Sequence, residues 1–511
     1  MYIDDILYKI VNGQNGFYSF ETFILNLLKV HLKTQKRELQ ISDSHRTSID
    51  AIVHQGFDDF NGSTIIDIKL NFGRMMPKLY FEKLFRPSKE FLELDPKYYL
   101  IINGRSINER IKQKYISDFK LFYPNLELVI WGPEEINSIA YKHRTETKKI
   151  VDNIFSLRIE QVIENDNIDW KDEREKIIIS LIETFKNRQF ALFLGAGVSS
   201  SAGMPNWNKL LNSLFVSYLT NEFDRSINIS DDDINEIVDR LNQVDEQSAL
   251  MSARYLRKGL SKQQVNDDTF ISTITNSLYG LRDKSKAENS TLLTSITNIC
   301  MPRQNGARIR SVVTYNFDDL LEKNLSQKSI KHHSIYTDNE NPSSDELPIY
   351  HAHGFLPEDR NLYSSLDKTT LVFSEEGYHH IYSDPYHWSN LIQLYNLKEN
   401  NCLMIGLSMT DPNLRRLLDI SAKNSELNRH FVFMNRLSKE KFIYDLIDDK
   451  DENGMKIKSK MQKIENVESA ELFLKRHHKL NEEIMKELSV NVIWYEDYED
   501  IPKILARLNN E

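Results

Sequence analysis

From about residue 176 onward the chain alternates short apolar runs with segments of helical period, and this alternation restricts the fold more than any other feature. FALFLG, RSVVTYNF, PIYHAHG, TTLVF, CLMIG, HFVFMN and VNVIWY have the length of strands, and the stretches between most of them space their apolar residues as helices do. Strands that alternate with helices form a mostly parallel sheet whose crossover helices cover both faces. In such a sheet ligands bind beyond the carboxyl ends of the strands. Four runs end there in small or polar residues. FALFL leads into GAGVSSSAGMP, VVTYNFDDLLE starts a helix after Asn316 and Asp318, and PIYHAHG ends in His353-Gly354. CLMIG passes through Gly406 and Ser408 to Asp411 and Pro412, which suit the cap and first turn of a helix.

The chain has only 17 glycines in 511 residues, yet Gly195, Gly197 and Gly203 cluster behind one strand. Glycines let a backbone approach a pyrophosphate, and the amides of the following helix supply a positive end. Gly195 and Gly197, with Ala196 between them, suit that role. Gly203 comes six positions after Gly197 rather than three, so the GxGxxG dinucleotide fingerprint is not met. A tight turn with close packing is the alternative explanation.

Residues 1 to about 140 read as a separate α/β unit. SFETFILNLLKVHL has helical spacing, and SIDAIVHQGF, TIIDIKLNF, YYLIING and LELVIWG read as strands. A chain of 511 residues exceeds what one core organises. Between 141 and 175 the periodicity weakens and charge rises, and a linker is expected there. The second domain then spans 176–511. Its polar, helix-forming stretch from about 207 to 300 is expected as a helical insertion, with NSLFVSYLTNEF and DDDINEIVD as amphipathic helices and candidates for an assembly or gating region. The fold class is α/β: a Rossmann-like parallel sheet with a helical insertion, preceded by a small α/β domain.

A net charge of -10 gives no global basic signature for nucleic acid. MYIDDILYKIVNGQ carries acids and no sustained apolar core, so it does not read as a signal peptide, and no run reaches the length of a membrane helix. A cytoplasmic protein without a membrane partner is expected. The two cysteines, Cys300 and Cys402, exclude a disulfide framework and a four-cysteine zinc site, so no zinc is expected.

In order along the chain, GAGVSSSAGMP, TYNFD at 314–318, HG at 353–354 and GLS at 406–408 resemble the motif series of the sirtuin family: GAGxS…GxP, TxNxD, His-Gly and a late GxS. They are most similar to the zinc-free branch found in bacterial antiphage proteins. The resemblance covers roughly residues 176 to 505. It implies a sirtuin-type sheet that takes NAD+ as substrate and cleaves its nicotinamide–ribose bond. It further implies contacts to NAD+ from Gly195, Ala196, Gly197, Ser199, Pro205, Thr314, Asp318, Gly406 and Ser408. Asn316, by motif position, orients a ribose hydroxyl or a water, and His353 is the base that takes the proton. Departure of nicotinamide develops oxocarbenium character at the sugar, as in glycoside hydrolysis. Asp318 contacts nicotinamide or supports the loop; Asp411 could bind ribose, though a role as helix cap explains it equally well, and His351 and the His379-His380 pair read as structural.

Deacetylase sirtuins carry Gln where this chain has Tyr315, and Phe-Arg where it has Trp207-Asn208. With the missing zinc cysteines, these departures argue against acyl-lysine and for water as the acceptor. The resemblance thus implies an NAD+ hydrolase acting as a bacterial antiphage effector, a homo-oligomer, and in some relatives a HerA-type DNA-translocating ATPase as partner.

The N-terminal unit has its own signal. In the strand IIDIKL, Ile66, Ile68 and Leu70 share one face, which puts Asp67 and Lys69 on the other; Asp50 precedes them on a strand expected to form a hairpin through Asn61-Gly62. Asp50 and Asp67 suit a Mg2+ that activates water, with Lys69 offsetting transition-state charge. The alternative is a solvated charged face. This D…DxK arrangement resembles the restriction-endonuclease superfamily, most closely its Mrr-type members, with Glu21 as a further acid and Ile49 where that pattern has Pro. It implies DNA as a partner, cut or only bound. An alternative function is therefore a Mg2+-dependent nuclease whose sirtuin-like domain only senses NAD+ or ADP-ribose. A protein deacylase or ADP-ribosyltransferase is a third.

Overall fold

The computed structural model describes residues 10, 16–41, 49–72, 95–154, 156–158, 160, 169–206, 209–211, 213–214, 267–302, 308–338, 340–369, 371–372, 381, 383–423, 428–450 and 456–509. The chain divides into two compact units: Met1–Ile168 with Ala422–Asn428 and Lys475–Glu487, and Asp169–Ser421 with Arg429–Leu474 and Leu488–Glu511.

In the first unit helix α1 (Gly16–Thr34) precedes strands β1 (Gln40–Ile41), β2 (Ala51–Val53), β3 (Thr64–Lys69), β4 (Tyr98–Asn103) and β5 (Glu127–Trp131), which lie side by side in that order. β1 to β3 are antiparallel neighbours and β3 to β5 parallel ones. Helix α2 (Glu109–Phe122) connects β4 to β5, and α3 (Pro133–Lys142) and α4 (Arg144–Asp152) follow. Phe23, Leu27 and Leu28 of α1 pack on Ile66, Ile68, Leu100 and Ile102, together with Ile139 and Ile150 of α3 and α4. The opposite face of the sheet, with Ile65, Tyr99 and Ile101, receives Tyr115 and Phe119 of α2. The expected linker is thus helical in its first part: Thr147 and Ile150, three apart, bury one face of a charged helix.

Because helices cover both faces, β3 has no solvated side. Asp67 and Lys69 do lie opposite Ile66 and Ile68, but Asp67 is 0% exposed. Its Oδ1 pairs with the Lys69 ammonium and its Oδ2 accepts from the Tyr99 hydroxyl at 2.9 Å. The solvated-face expectation fails for this reason.

The second unit opens with α5 (Trp170–Asn187), whose first turn is capped by Asp169 accepting from Lys171 N–H. β6 (Phe190–Leu194) and the short α6 (Ala196–Ser201) follow, then α7 (Asp267–Gly280), α8 (Thr291–Ile299), β7 (Ile309–Thr314), α9 (Leu320–Gln327), β8 (His332–Ile335) and β9 (Leu347–His351). The chain continues through α10 (Trp388–Glu399), β10 (Asn401–Ile405), α11 (Pro412–Ala422), β11 (His430–Asn435), α12 (Lys439–Ile443), an antiparallel ribbon of β12 (Tyr444–Lys450) and β13 (Lys456–Gln462), α13 (Val467–Glu487), β14 (Val490–Tyr495) and α14 (Asp500–Asn509). Seven strands form one sheet in the order β14-β11-β10-β6-β7-β9-β8, and every neighbouring pair is parallel. All residues of β6 and β10 are buried, as uninterrupted apolar runs require at the centre of a parallel sheet. Residues 371 and 372 of the expected strand TTLVF lie outside any strand.

The second half of the expected helical insertion belongs to the main core. Ile274 and Leu278 of α7 and Leu292, Leu293 and Ile296 of α8 pack in one cluster with Leu192 and Val312 of the sheet. Residues 215–266, including DDDINEIVD and most of NSLFVSYLTNEF, lie outside the described residues, as do Trp207, Asn208, His379 and His380. Among the described residues no helix is long and apolar enough to cross a membrane.

Breaking the Asp67–Lys69 pair from one side tests the first unit. Asp67→Ala removes the carboxylate paired with the nearly buried Lys69 ammonium and is expected to cost about 3–5 kcal/mol. Asp67→Ala with Lys69→Met removes both charges and is expected to recover most of that loss. Urea unfolding of the two variants beside the wild type measures both effects; a double variant as unstable as the single one would refute the account.

Candidate active site

Four strand ends are level. Leu194 of β6 pairs with Ile405 of β10 on one side and Thr314 of β7 on the other, and Thr314 pairs with His351 of β9. Gly406, Gly195, Asn316 and His353 therefore leave one edge of the sheet within two residues of a common line. The strand order also reverses here, since the chain builds β7 on one side of β6 and later β10 on the other. That is the position at which open α/β sheets bind ligands.

Between β6 and β10 two turns touch through bare backbone. A Cβ on Gly195 would lie 2.4 Å from the Gly406 carbonyl oxygen, and one on Gly406 would lie 2.6 Å from Val198 N. Gly406 also holds φ at +71°, where a side chain is strained. The amides expected to face phosphate are used within the protein: Gly195 N–H donates to Ile405 C=O at 2.9 Å and Gly197 N–H to Gly406 C=O at 3.0 Å. Tyr498, beyond β14, donates its hydroxyl to Gly197 C=O at 2.5 Å. Close packing therefore accounts for these glycines. Ala196 is exposed on the turn, and Pro205 is half-buried beyond Gly203, whose φ of +90° and contact with Asp283 explain the third glycine.

Asn316 and His353 stand out by exposure. Asn316 is the one residue of 311–320 that is not buried, and His353 the one residue of 351–357. His353 is 13% exposed, its ring meets Tyr315 edge-on at 4.7 Å, and its Nε2 lies 3.8 Å from Asp411 Oδ2. Tyr315 is itself fixed by donating to Gln393 Oε1 at 2.6 Å. Burial lowers the His353 pKa from its ordinary value, and Asp411 works in the opposite direction. Asp411 also accepts from Leu414 N–H at 2.7 Å through Oδ1, so one oxygen caps α11 and the other faces the imidazole. The cap is legible in Asp411-Pro412; the reach to His353 depends on the loop between Gly406 and Asp411, in which Met409 takes a positive φ of 59°.

The remaining polar candidates serve mainly as supports. Thr314 is buried, and its Oγ1 accepts from Asn316 N–H at 3.1 Å. Ser199 is buried and hydrogen-bonds the Asp318 carboxyl, which also accepts from Leu320 N–H. Burial pushes the Asp318 pKa up to about 6, against those two hydrogen bonds. Ser408 is exposed and shares a 2.6 Å hydrogen bond with Thr410. A separate cavity of about 540 Å³, lined by Asp319, Glu322, Lys323, Glu358 and Tyr363 among others, includes no residue of the glycine turn and neither Asn316 nor His353.

In the first unit, Glu21, Asp50, Asp67 and Lys69 form one electrostatic cluster. Burial raises the Asp50 pKa well above the carboxylate range, Lys69 opposes it, and Glu21 and Asp67 add to it; Glu21 is likewise raised by burial. Asp50 Oδ2 accepts from Ile68 N–H at 2.5 Å. Asp67 shares one oxygen with Lys69 and the other with Tyr99, so a cation held by Asp50 and Asp67 would share those oxygens with both donors. Among the described residues no three His, Cys, Asp or Glu side chains are arranged to hold a metal ion. Cys300 and Cys402 are buried apart from one another, and burial pushes the Cys300 thiol up to about 12.

A family model described as SIR2-like domain matches residues 310–453, which hold Asn316, Asp318, His353, Gly406, Ser408 and Asp411 but not the turn at Gly195. The NAD(+) hydrolase ThsA of Enterococcus faecium is 23% identical over 353 residues, 66% of this chain and 59% of that protein, so the chain spans less than two thirds of that relative's length. With the seven-stranded parallel sheet, the match to the SIR2-like domain supports a Rossmann-like, sirtuin-type fold, and the chain is similar over part of its length to that NAD+ hydrolase.

Proposed function

We propose that the second unit hydrolyses the nicotinamide–ribose bond of NAD+. One observation carries the reading: Asn316 and His353 leave adjacent, level strand ends as the residues of their segments that are not buried, with Asp411 beside the imidazole. The C1′–N bond breaks with its electrons passing to the pyridinium nitrogen, so nicotinamide leaves neutral. Water supplies the new C1′–O bond. Asn316 orients that water or a ribose hydroxyl. His353, held neutral at pH 7 by its lowered pKa, takes the proton. Asp411 then faces the imidazolium and stabilises it. Water is the acceptor in this reading because the two cysteines are buried in the core and build no zinc ribbon for an acyl-peptide site.

Nuclease action by the first unit is a second reading, favoured by the coupling of Glu21, Asp50, Asp67 and Lys69. Asp50 and Asp67 are the residues that would hold a Mg2+ there, with Lys69 as the cation beside them. The unit serves here in recognition of DNA or a partner. An NAD+ hydrolase is toxic to its own cell unless restrained, so the chain is proposed as a conditional antiphage effector. Assembly into a homo-oligomer or pairing with a HerA-type ATPase would release its activity.

Nicotinamide release from NAD+, followed by chromatography, tests the site. His353→Ala and Asn316→Ala are each expected to lower kcat by about 10²–10⁴-fold. Undiminished release in Asn316→Ala would remove the assignment. Plasmid cleavage with Mg2+ that disappears in Asp67→Asn would establish the nuclease instead.

Asp318 gives a second prediction. Its pKa of about 6 in the folded chain lies above the unfolded value, so the folded state holds the extra proton and loses stability as pH rises from about 4 to 6. Asp318→Asn mimics the protonated form. Its thermal midpoint is expected to match the wild type at about pH 3.5 and to exceed it at pH 8; equal differences at both would show that the carboxyl is not raised.

A further inference from the structure

His351 lies directly beneath Asn316. It ends β9, is 1% exposed, and uses both ring nitrogens: Nδ1 meets the Asn316 carbonyl oxygen at 3.2 Å and Nε2 meets Glu322 Oε1 at 2.8 Å. A carbonyl oxygen only accepts, so Nδ1 carries a hydrogen. Glu322, 2% exposed on α9, is pushed up by burial, but His351, a backbone hydrogen bond and His332 together bring its pKa below the ordinary value, so its carboxylate accepts. Both ring nitrogens are therefore directed at acceptor oxygens, one on the Asn316 peptide and one on the Glu322 carboxyl. Glu322 Oε1 further accepts from Ser334 Oγ at 3.0 Å, while its Oε2 is buried with no hydrogen-bond partner among the described residues. Well-packed apolar residues often stabilise a core as well as such a pair does, so stability alone does not account for it.

The backbone around Asn316 shows what the pair does. Tyr315 N–H donates to Leu194 C=O, Asn316 N–H to Thr314 Oγ1, and Leu356 N–H to Phe317 C=O at 2.7 Å. The Asn316 carbonyl lies just past the last residue of β7, beyond the strand ladder, and its contact is the His351 ring. We propose that His351, held by Glu322, is a positioning residue for Asn316: its Nδ1–H fixes the Asn316 peptide plane and thereby the direction in which the side-chain amide meets substrate. This rests on the proposed NAD+ hydrolysis. A catalytic amide displaced by about 1 Å loses on the order of 100-fold in rate while ground-state binding changes little.

Two isosteric substitutions separate the roles of the ring nitrogens. The amide nitrogen of His351→Gln sits near the place of Nε2, keeping the link to Glu322 and losing the link to Asn316. That of His351→Asn sits near Nδ1, keeping the link to Asn316; combined with Glu322→Gln it leaves no unpaired buried charge. Steady-state NAD+ hydrolysis and thermal midpoints are measured on full-length chains. His351→Gln is expected to lower kcat by about 100-fold with KM within about threefold, and the double variant to stay within about tenfold of wild-type kcat even where its midpoint is lower. Full kcat in His351→Gln, or losses in both variants that follow their midpoints, would overturn the inference alone. A wild type that releases no nicotinamide would overturn the proposed function and this inference with it.

Discussion

Two backbone turns can lie against each other only where neither carries a Cβ, and the second unit is organised around such a contact. Gly195 and Gly197 behind β6 meet Gly406 behind β10, with Gly197 donating to the Gly406 carbonyl. The contact brings together the turns of the two strands flanking the reversal of strand order. From there the loop after Gly406 carries Asp411 over to His353, which leaves the sheet three strands away from β10. An alanine at Gly406 would strain φ and push the turns apart, and Asp411 would lose its reach. The glycines thus set the position of the loop through close backbone contact, with the Gly195 and Gly197 amides bonded within the protein.

Ionisable groups in both units show how a core can hold charge. Asp67 is neutralised outright by an ammonium and a phenol. Glu322 is paired with the His351 ring, which also serves a neighbouring peptide. Among the described residues no cation stands beside Asp318; it is held by a hydroxyl and an amide, and burial is left to raise its pKa. The first two arrangements pair each carboxyl at a desolvation cost, and the third leaves a carboxyl poised near neutrality at a sheet edge.

The parts of this architecture legible in the sequence are those with local signatures. Apolar runs without alternation marked the central strands, the turns of small and polar residues marked the edge where they converge, and Asp411-Pro412 marked a helix start. What stayed hidden depends on partners distant in sequence. Nothing in IIDIKL tells that α2 covers the face of Asp67, because its covering residues, Tyr115 and Phe119, lie on a helix with its own polar face. His351 reads as an ordinary strand histidine until Glu322 arrives from another element. The amides of Gly195 and Gly197 looked available only because the carbonyls that accept from them belong to β10 and its turn.

At 3.8 Å, Asp411 and His353 are too far apart for a hydrogen bond, and this spacing suits the proposed reaction. A tight carboxylate–imidazole bond would raise the histidine pKa and leave it protonated before substrate arrived. Held slightly apart, the carboxylate leaves burial to keep the ring neutral, as a base must be. During bond cleavage positive charge leaves the pyridinium and grows on the ribose, and proton transfer then places it on His353. A fixed anion on the far side of the imidazole is most favourable at that last stage, when the ring is cationic. Its stabilisation is therefore weighted toward the charged state that follows substrate binding, which is the condition for accelerating a reaction rather than merely binding its reactant.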